Sequence, residues 1–144
     1  MDPRVIGMMG AGLVMGISSL GAAIAMGVAG SATVGAWKRC YKANKPAPMT
    51  LLTFVGFPLT EVFYGFILMS VLMSTQVLSG FQLLGVGLFA GLAIGGSAYA
   101  QGCCSASASD AYAETEQGFG NYMLIIGLCE TVALFVMVFA MLIA

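Results

Sequence analysis

The sequence predicts an all-α membrane protein: four transmembrane helices, laid out as two tandem helical hairpins and assembled into a ring. Three observations lead there. Hydrophobic residues make up 60% of the 144, charged residues only 8%, and mean hydropathy is +0.99, whereas a soluble domain of this size needs far more surface charge. Four apolar stretches can be drawn, at about Val5–Trp37, Thr50–Met73, Phe81–Ser109 and Asn121–Ala144. Each meets or exceeds the roughly 20 residues that cross a hydrocarbon core about 30 Å thick. Finally, the second half of the chain repeats the first. The runs are continuously apolar and lack the alternation of a lipid-facing barrel strand, so helices are the remaining way to satisfy the backbone in lipid.

The first stretch carries a glycine ladder at Gly10, Gly12 and Gly16. If unbroken to Trp37 it is roughly 50 Å long at about 1.5 Å per residue, longer than the hydrocarbon core, so its end projects from the bilayer. Arg4 ahead of an apolar run, with small residues near Gly21–Ala25, superficially resembles a signal peptide. Cleavage would destroy half of the duplication, so the segment is expected to remain. Pro46 and Pro48 stop the following loop from continuing as helix.

The second stretch reads GFPLTEVFYGFILMSVLM and the fourth reads IIGLCETVALFVMVFAMLIA, which sets Glu61 and Glu130 at matching depth. The third repeats the glycine ladder at Gly85, Gly87 and Gly91. The halves are therefore about 1–76 and 77–144, a first and a second transmembrane hairpin. Aligning the glycines offsets the halves by 75 residues and aligning the glutamates by 69, so a gap lies between them. The odd helices are rich in Gly, Ala and Ser at small-xxx-small spacings that allow close backbone approach, and the even helices in Phe, Leu, Met and Val. That contrast predicts concentric layers, with small-residue helices inside a ring and bulky, lipid-facing helices outside.

Lys38, Arg39, Lys42 and Lys45 cluster between the first two helices, and Asp110, Glu114 and Glu116 between the last two. Both connections fall on one side of the membrane, and the basic residues predict that this side is cytoplasmic. These polar loops are natural docking surfaces for a soluble partner. Cys40, Cys103, Cys104 and Cys129 show no CxxC spacing and His is absent, which gives no support to a metal site of the usual N/S type. The cysteines read as small packing residues. No basic stripe suggests nucleic acid.

Function is read from the two glutamates. An ionisable side chain at bilayer depth costs about 2.5–3.5 kcal/mol on insertion scales and is normally there to carry ions, protons or a ligand. A carboxyl in low-dielectric surroundings resists ionisation unless a cation or donors stabilise the anion, which makes it a reversible carrier. Two other classes are weighed beside this one. A small oligomeric cation channel would line a wet pore with the acids, and a structural membrane-assembly protein would need only the glycine ladders.

On these residues the chain resembles the rotor-ring proteolipid of V-type (V/A-type) ATPases, the duplicated four-helix form called K/c, in bacteria and archaea. The resemblance covers nearly the whole chain and rests on the duplicated hairpin, on Pro58-Leu59-Thr60-Glu61-Val62-Phe63-Tyr64-Gly65-Phe66, on Ala100-Gln101-Gly102 and on Glu130-Thr131. It implies a non-catalytic transport subunit of a rotary ATPase in the cell membrane, with no cofactor beyond the transported Na+ or H+. Identical subunits would form a ring in lipid, turning against a static membrane subunit whose arginine meets each carboxylate in turn. Cytoplasmic central-stalk subunits would couple that rotation to ATP hydrolysis or synthesis. Mapped residue by residue, the family's sodium site implies Glu130 as the carboxylate, Gln101 as the glutamine, Thr60 as the hydroxyl, Phe57 as the carbonyl donor and Tyr64 as the tyrosine that locks the carboxylate. Thr131, next to Glu130, joins the ion-binding set. The set suits a hard cation, which prefers oxygen ligands, and favours sodium at Glu130 with proton transport as the alternative. Glu61 stands where some sodium-binding members have glutamine, and its own role is left open.

Overall fold

The structure, a computed structural model, describes residues 2–144. Among these residues every regular element is helical. The first helix, α1 (Pro3–Lys42), starts where the Asp2 carboxylate accepts the Arg4 backbone N–H at 2.9 Å and Pro3 supplies a ready helical φ. It runs five residues past the Trp37 end expected from the sequence, because nothing breaks the helix until Asn44 turns left-handed at φ 53° ahead of Pro46. Lys38, Arg39 and Lys42 are therefore helical rather than loop residues, and Arg39 and Lys42 lie in the last turn, where cations oppose the helix dipole. At 40 residues the helix is about 60 Å long, roughly twice the hydrocarbon thickness.

The second apolar stretch is one span, Leu51–Ser74, but not one regular helix. It divides into α2 (Leu51–Gly56), a 3₁₀ turn at Phe57–Leu59 and α3 (Thr60–Ser74). Pro58 is the cause, since it lacks the N–H that would reach back along the helix and crowds the preceding turn. Glu61 follows in the first turn of α3. Next, α4 (Gly80–Thr115) opens with a reciprocal cap in which Ser79 N–H donates to Gln82 Oε1 at 2.9 Å and Gln82 N–H to Ser79 Oγ at 3.4 Å. It too outruns its expected end at Ser109. Asp110 and Glu114 are helical, and the turn is confined to Glu116, left-handed at φ 55°, through Gly118 at φ 79°. The last helix is α5 (Phe119–Ile143).

The core is the line along which α1 and α4 lie backbone against backbone. A Cβ added to Gly102 would stand 2.5 Å from Ala25 Cα, and one on Gly95 2.9 Å from the Ile17 carbonyl oxygen. Gly10 and Gly87 face each other in the same way. The glycine ladders divide accordingly: Gly10, Gly87 and Gly91 serve this contact, whereas Gly12, Gly16 and Gly85 look onto open space. Against this pair lean α3, which meets α1 where Gly65 sits over Ser18, and α5, which packs with α3 and α4 around Leu68, Leu72, Ile94 and Ala133. The outer faces of α3 and α5 expose Phe63, Phe66, Leu128, Phe135 and Leu142.

The ends of the bundle differ. At one end Arg39 pairs with Asp110, Trp37 Nε1 donates to the Pro48 carbonyl at 3.0 Å, and Phe54, Tyr112, Phe119 and Tyr122 form an aromatic cluster. At the other, the Thr75 hydroxyl meets the Ala144 carbonyl, and Pro3 lies against Gly80. All four basic residues of the first connection and the three acids of the second belong to the first end.

Candidate functional site

Roughly midway along the bundle, α3, α4 and α5 bring both glutamates to the same level. Glu130 on α5 is half-buried, and two side chains hold its carboxylate. Tyr64 donates its hydroxyl to Oε1 at 2.6 Å, and Gln101 donates Nε2–H to Oε2 at 3.5 Å. The Gln101 amide also reaches the Ile126 carbonyl at 3.3 Å. Tyr64 is placed one turn after Glu61, so that α3 presents it toward α5, and Gln101 lies on the α4 face between α1 and α5.

Glu61 is fully buried. Its partner is Ser97, whose hydroxyl lies 2.9 Å from Glu61 Oε1 and 2.7 Å from the Cys129 carbonyl oxygen, and so links α3 through α4 to the α5 residue just before Glu130. Among the described residues the other carboxyl oxygen, Oε2, has no partner, and neither has Gln101 Oε1. Two buried acceptors are thus left unpaired beside a carboxylate that already takes two donors. Unsatisfied buried acceptors are costly, and the arrangement is suited to a positively charged or protonated guest, for which oxygen atoms are the favoured ligands.

Of the residues singled out in the sequence, Glu130, Gln101 and Tyr64 are joined directly. Glu61 is reached through Ser97. Thr60 and Phe57 sit together at the Pro58 turn, where the Thr60 hydroxyl donates to the Phe57 carbonyl at 2.8 Å. Thr131 is exposed and donates back to the Leu128 carbonyl at 2.7 Å, so nothing in the single chain draws it toward the carboxylate. Ser97 is the residue that sequence reasoning missed. The signal was available: it lies four residues before Gln101, one turn earlier on the same face of α4.

Residues 84–143, which include Ser97, Gln101 and Glu130, match the family model for the C subunit of ATP synthase. The chain is also similar to the A-type ATP synthase subunit K of Methanocaldococcus jannaschii, at 34% identity over 143 residues covering 98% of this chain and 62% of that protein. The second half of the chain, α4 with α5, is thus similar to the C subunit of ATP synthase. It spans about three-fifths of the length of the curated relative it matches, the aligned share of that protein being 62%. The likeness agrees with the four helices that, among the described residues, are long and apolar enough to cross a membrane, and the chain is an integral membrane protein. The family match covers α4 and α5 and leaves Glu61, Tyr64, Thr60 and Phe57 outside it.

Proposed function

We propose that this C-subunit homologue is an ion-carrying rotor-ring subunit in the membrane sector of a V/A-type ATPase or ATP synthase. The observation that carries this reading is the half-buried Glu130 carboxylate, held at mid-depth by Tyr64 and Gln101 beside an unpartnered Gln101 oxygen. In that role Glu130 takes up Na+, or alternatively H+. The ion-bound site is neutral and can pass through lipid. It gives up its ion where the carboxylate meets an arginine of a static membrane subunit. Each elementary charge moved exchanges about 2.3 kcal/mol per 100 mV with the membrane potential, enough to drive rotation in either direction when summed over a ring.

Gln101 supplies an oxygen to a bound cation, and Tyr64 latches the carboxylate. Thr60 and Phe57, across the Pro58 turn, offer the further hydroxyl and carbonyl oxygens, with Thr131 as the hydroxyl beside Glu130. Residues 1–76 and 77–144 act as two hairpins of unequal function. Several copies close into a ring through the open faces of the small-residue helices, and the end bearing Lys38, Arg39, Lys42 and Lys45 faces the cytoplasm, where stalk subunits dock. Single-cysteine variants labelled from each side of sealed vesicles test that orientation. Labelling of both connections only from the outer face would reverse it.

The ion is tested by competition. A hydrophobic carbodiimide reacts with protonated buried carboxyls, while sodium requires the ionised group. Modification of Glu130 therefore slows as sodium rises, more strongly at higher pH, where fewer protons compete. A rate unchanged across millimolar sodium at mildly acidic and neutral pH would leave the proton as the transported ion.

A further inference from the structure

The four cysteines are not equivalent in the fold. Cys40 is buried, with its sulfur directed at the Ala113 carbonyl at 3.9 Å. Cys104 on α4 and Cys129 on α5 instead meet sulfur to sulfur at 3.7 Å, and both are half-buried. Cys104 lies three residues beyond Gln101, and Cys129 immediately precedes Glu130, so the two thiols span the same pair of helices that the Gln101–Glu130 hydrogen bond spans. A groove of about 410 Å³ runs alongside, lined by Cys103, Cys104, Ala108, Tyr122 and Ile125, and opens on the outer surface of α4 and α5.

We propose that Cys104 and Cys129 form an oxidisable dithiol that closes to a disulfide and locks α5 to α4 beside the ion site. The sulfurs must approach from contact distance to about 2.05 Å, a movement small enough for side-chain rotation and a slight shift of α5. The position selects the oxidant. Charged, water-soluble disulfides such as glutathione do not enter hydrocarbon, whereas the groove is open to an apolar reagent, so the partner is a lipid-soluble two-electron acceptor of the quinone class. In the step both S–H bonds break and one S–S bond forms, and the two electrons and two protons pass to the quinone, which leaves as the quinol. The consequence for transport rests on the proposed role of Glu130. With Cys129 tied to α4, the adjacent carboxylate cannot move away from Gln101 to release its ion.

The test uses the full chain assembled in lipid vesicles and a fully ring-substituted benzoquinone, which oxidises thiols but has no ring C–H at which to alkylate them. Oxidation is expected to remove the mass of two hydrogen atoms per chain, to give a linked peptide pair containing Cys104 and Cys129, and to reverse with a phosphine reductant. Cys104→Ser abolishes the mass change, and Cys40→Ser and Cys103→Ser do not. Absence of the linkage, a bond through Cys103, or a bond between chains would overturn the proposal. Ion turnover in the coupled complex is expected to be lost on oxidation, to return on reduction, and to be indifferent to the quinone in the Cys104→Ser variant. A mapped disulfide with turnover unchanged would overturn the lock. A separate Glu130→Gln measurement tells whether the carrier assignment itself has failed.

Discussion

Glu61 and Glu130 occupy matching places in a repeated sequence and have different surroundings. Glu61 is sealed among three helices with a serine as its partner, and Glu130 is half-buried at the outer edge with a tyrosine and a glutamine. The difference does not come from the acid-bearing helices alone. In the register that aligns Gly10 with Gly85, α1 has Ala22 and Met26 where α4 has Ser97 and Gln101. Only one of the two small-residue helices is therefore equipped to bind a carboxylate, and it lies between α1 and α5, where it addresses both acids. The repeat kept the acid and the glycine spacing, but the glycines that pack differ between its copies, and Ser97 and Gln101 belong to the second copy alone. Two acids at one repeated position have thus come to hold different partners and different burial.

The largest expected effect would break this comparison outright. Glu130→Gln keeps size and one acceptor oxygen but cannot change charge, so ion transport by the complex is expected to vanish while ring assembly persists. Glu61→Gln is expected to leave substantial transport. Flux in proteoliposomes and the size of the purified ring distinguish the two, and an equal loss from both substitutions would mean that each hairpin carries an ion.

Much of this architecture was legible in the sequence, because long apolar runs and glycine spacing are strong signals of membrane helices and close backbone approach. The helix ends were less legible. α1 and α4 extend beyond the hydrocarbon into polar sequence, where hydropathy no longer marks helix and only Asn44 and Glu116, in left-handed backbone, stop them. The ladders were visible, but not which rungs face α4: Gly10 and Gly87 meet a backbone, and Gly12 and Gly85 do not. At the site, Gln101 stood out as an amide deep in an apolar helix whose other amide, Gln82, sits at its cap. Ser97 did not, since α4 also carries Ser105, Ser107 and Ser109 and a serine can satisfy its hydroxyl on its own helix backbone. Thr131 illustrates that alternative, bonding to Leu128 rather than to its neighbouring acid.

A second, smaller effect sharpens the comparison on the Glu130 side. Gln101→Ala removes both the amide donor and the unpaired oxygen. Losing a hydrogen bond to a charged group is worth about 1.5–3 kcal/mol, so the sodium concentration needed to protect Glu130 from carbodiimide is expected to rise roughly tenfold or more. An unchanged protection curve would remove Gln101 from the site.

Tyr64→Phe should matter less. The ring stays in place and only the 2.6 Å hydroxyl contact is lost, which leaves Gln101 on the other carboxylate oxygen. The expected outcome is faster carbodiimide modification of Glu130 by a few-fold, with sodium protection retained. A complete loss of protection would make the tyrosine oxygen a ligand rather than a latch.

The smallest effect on transport is expected at Ser97. Its hydroxyl touches Glu61 and the Cys129 carbonyl but not the Glu130 carboxylate, so Ser97→Ala leaves the Glu130 and Gln101 oxygens where they are. What it removes is the one polar partner of a fully buried acid. An orphaned buried group costs about 1–3 kcal/mol, and the cost should appear as a lower temperature of ring dissociation in detergent, with the sodium dependence of Glu130 modification close to that of the unmodified chain. Restoring a hydroxyl with Ser97→Thr should recover part of that stability if the slightly larger side chain fits beside Cys129. If Ser97→Ala instead shifts sodium protection as far as Gln101→Ala does, Glu61 and Glu130 act as one coupled site, and the division between a structural acid and a carrier does not hold.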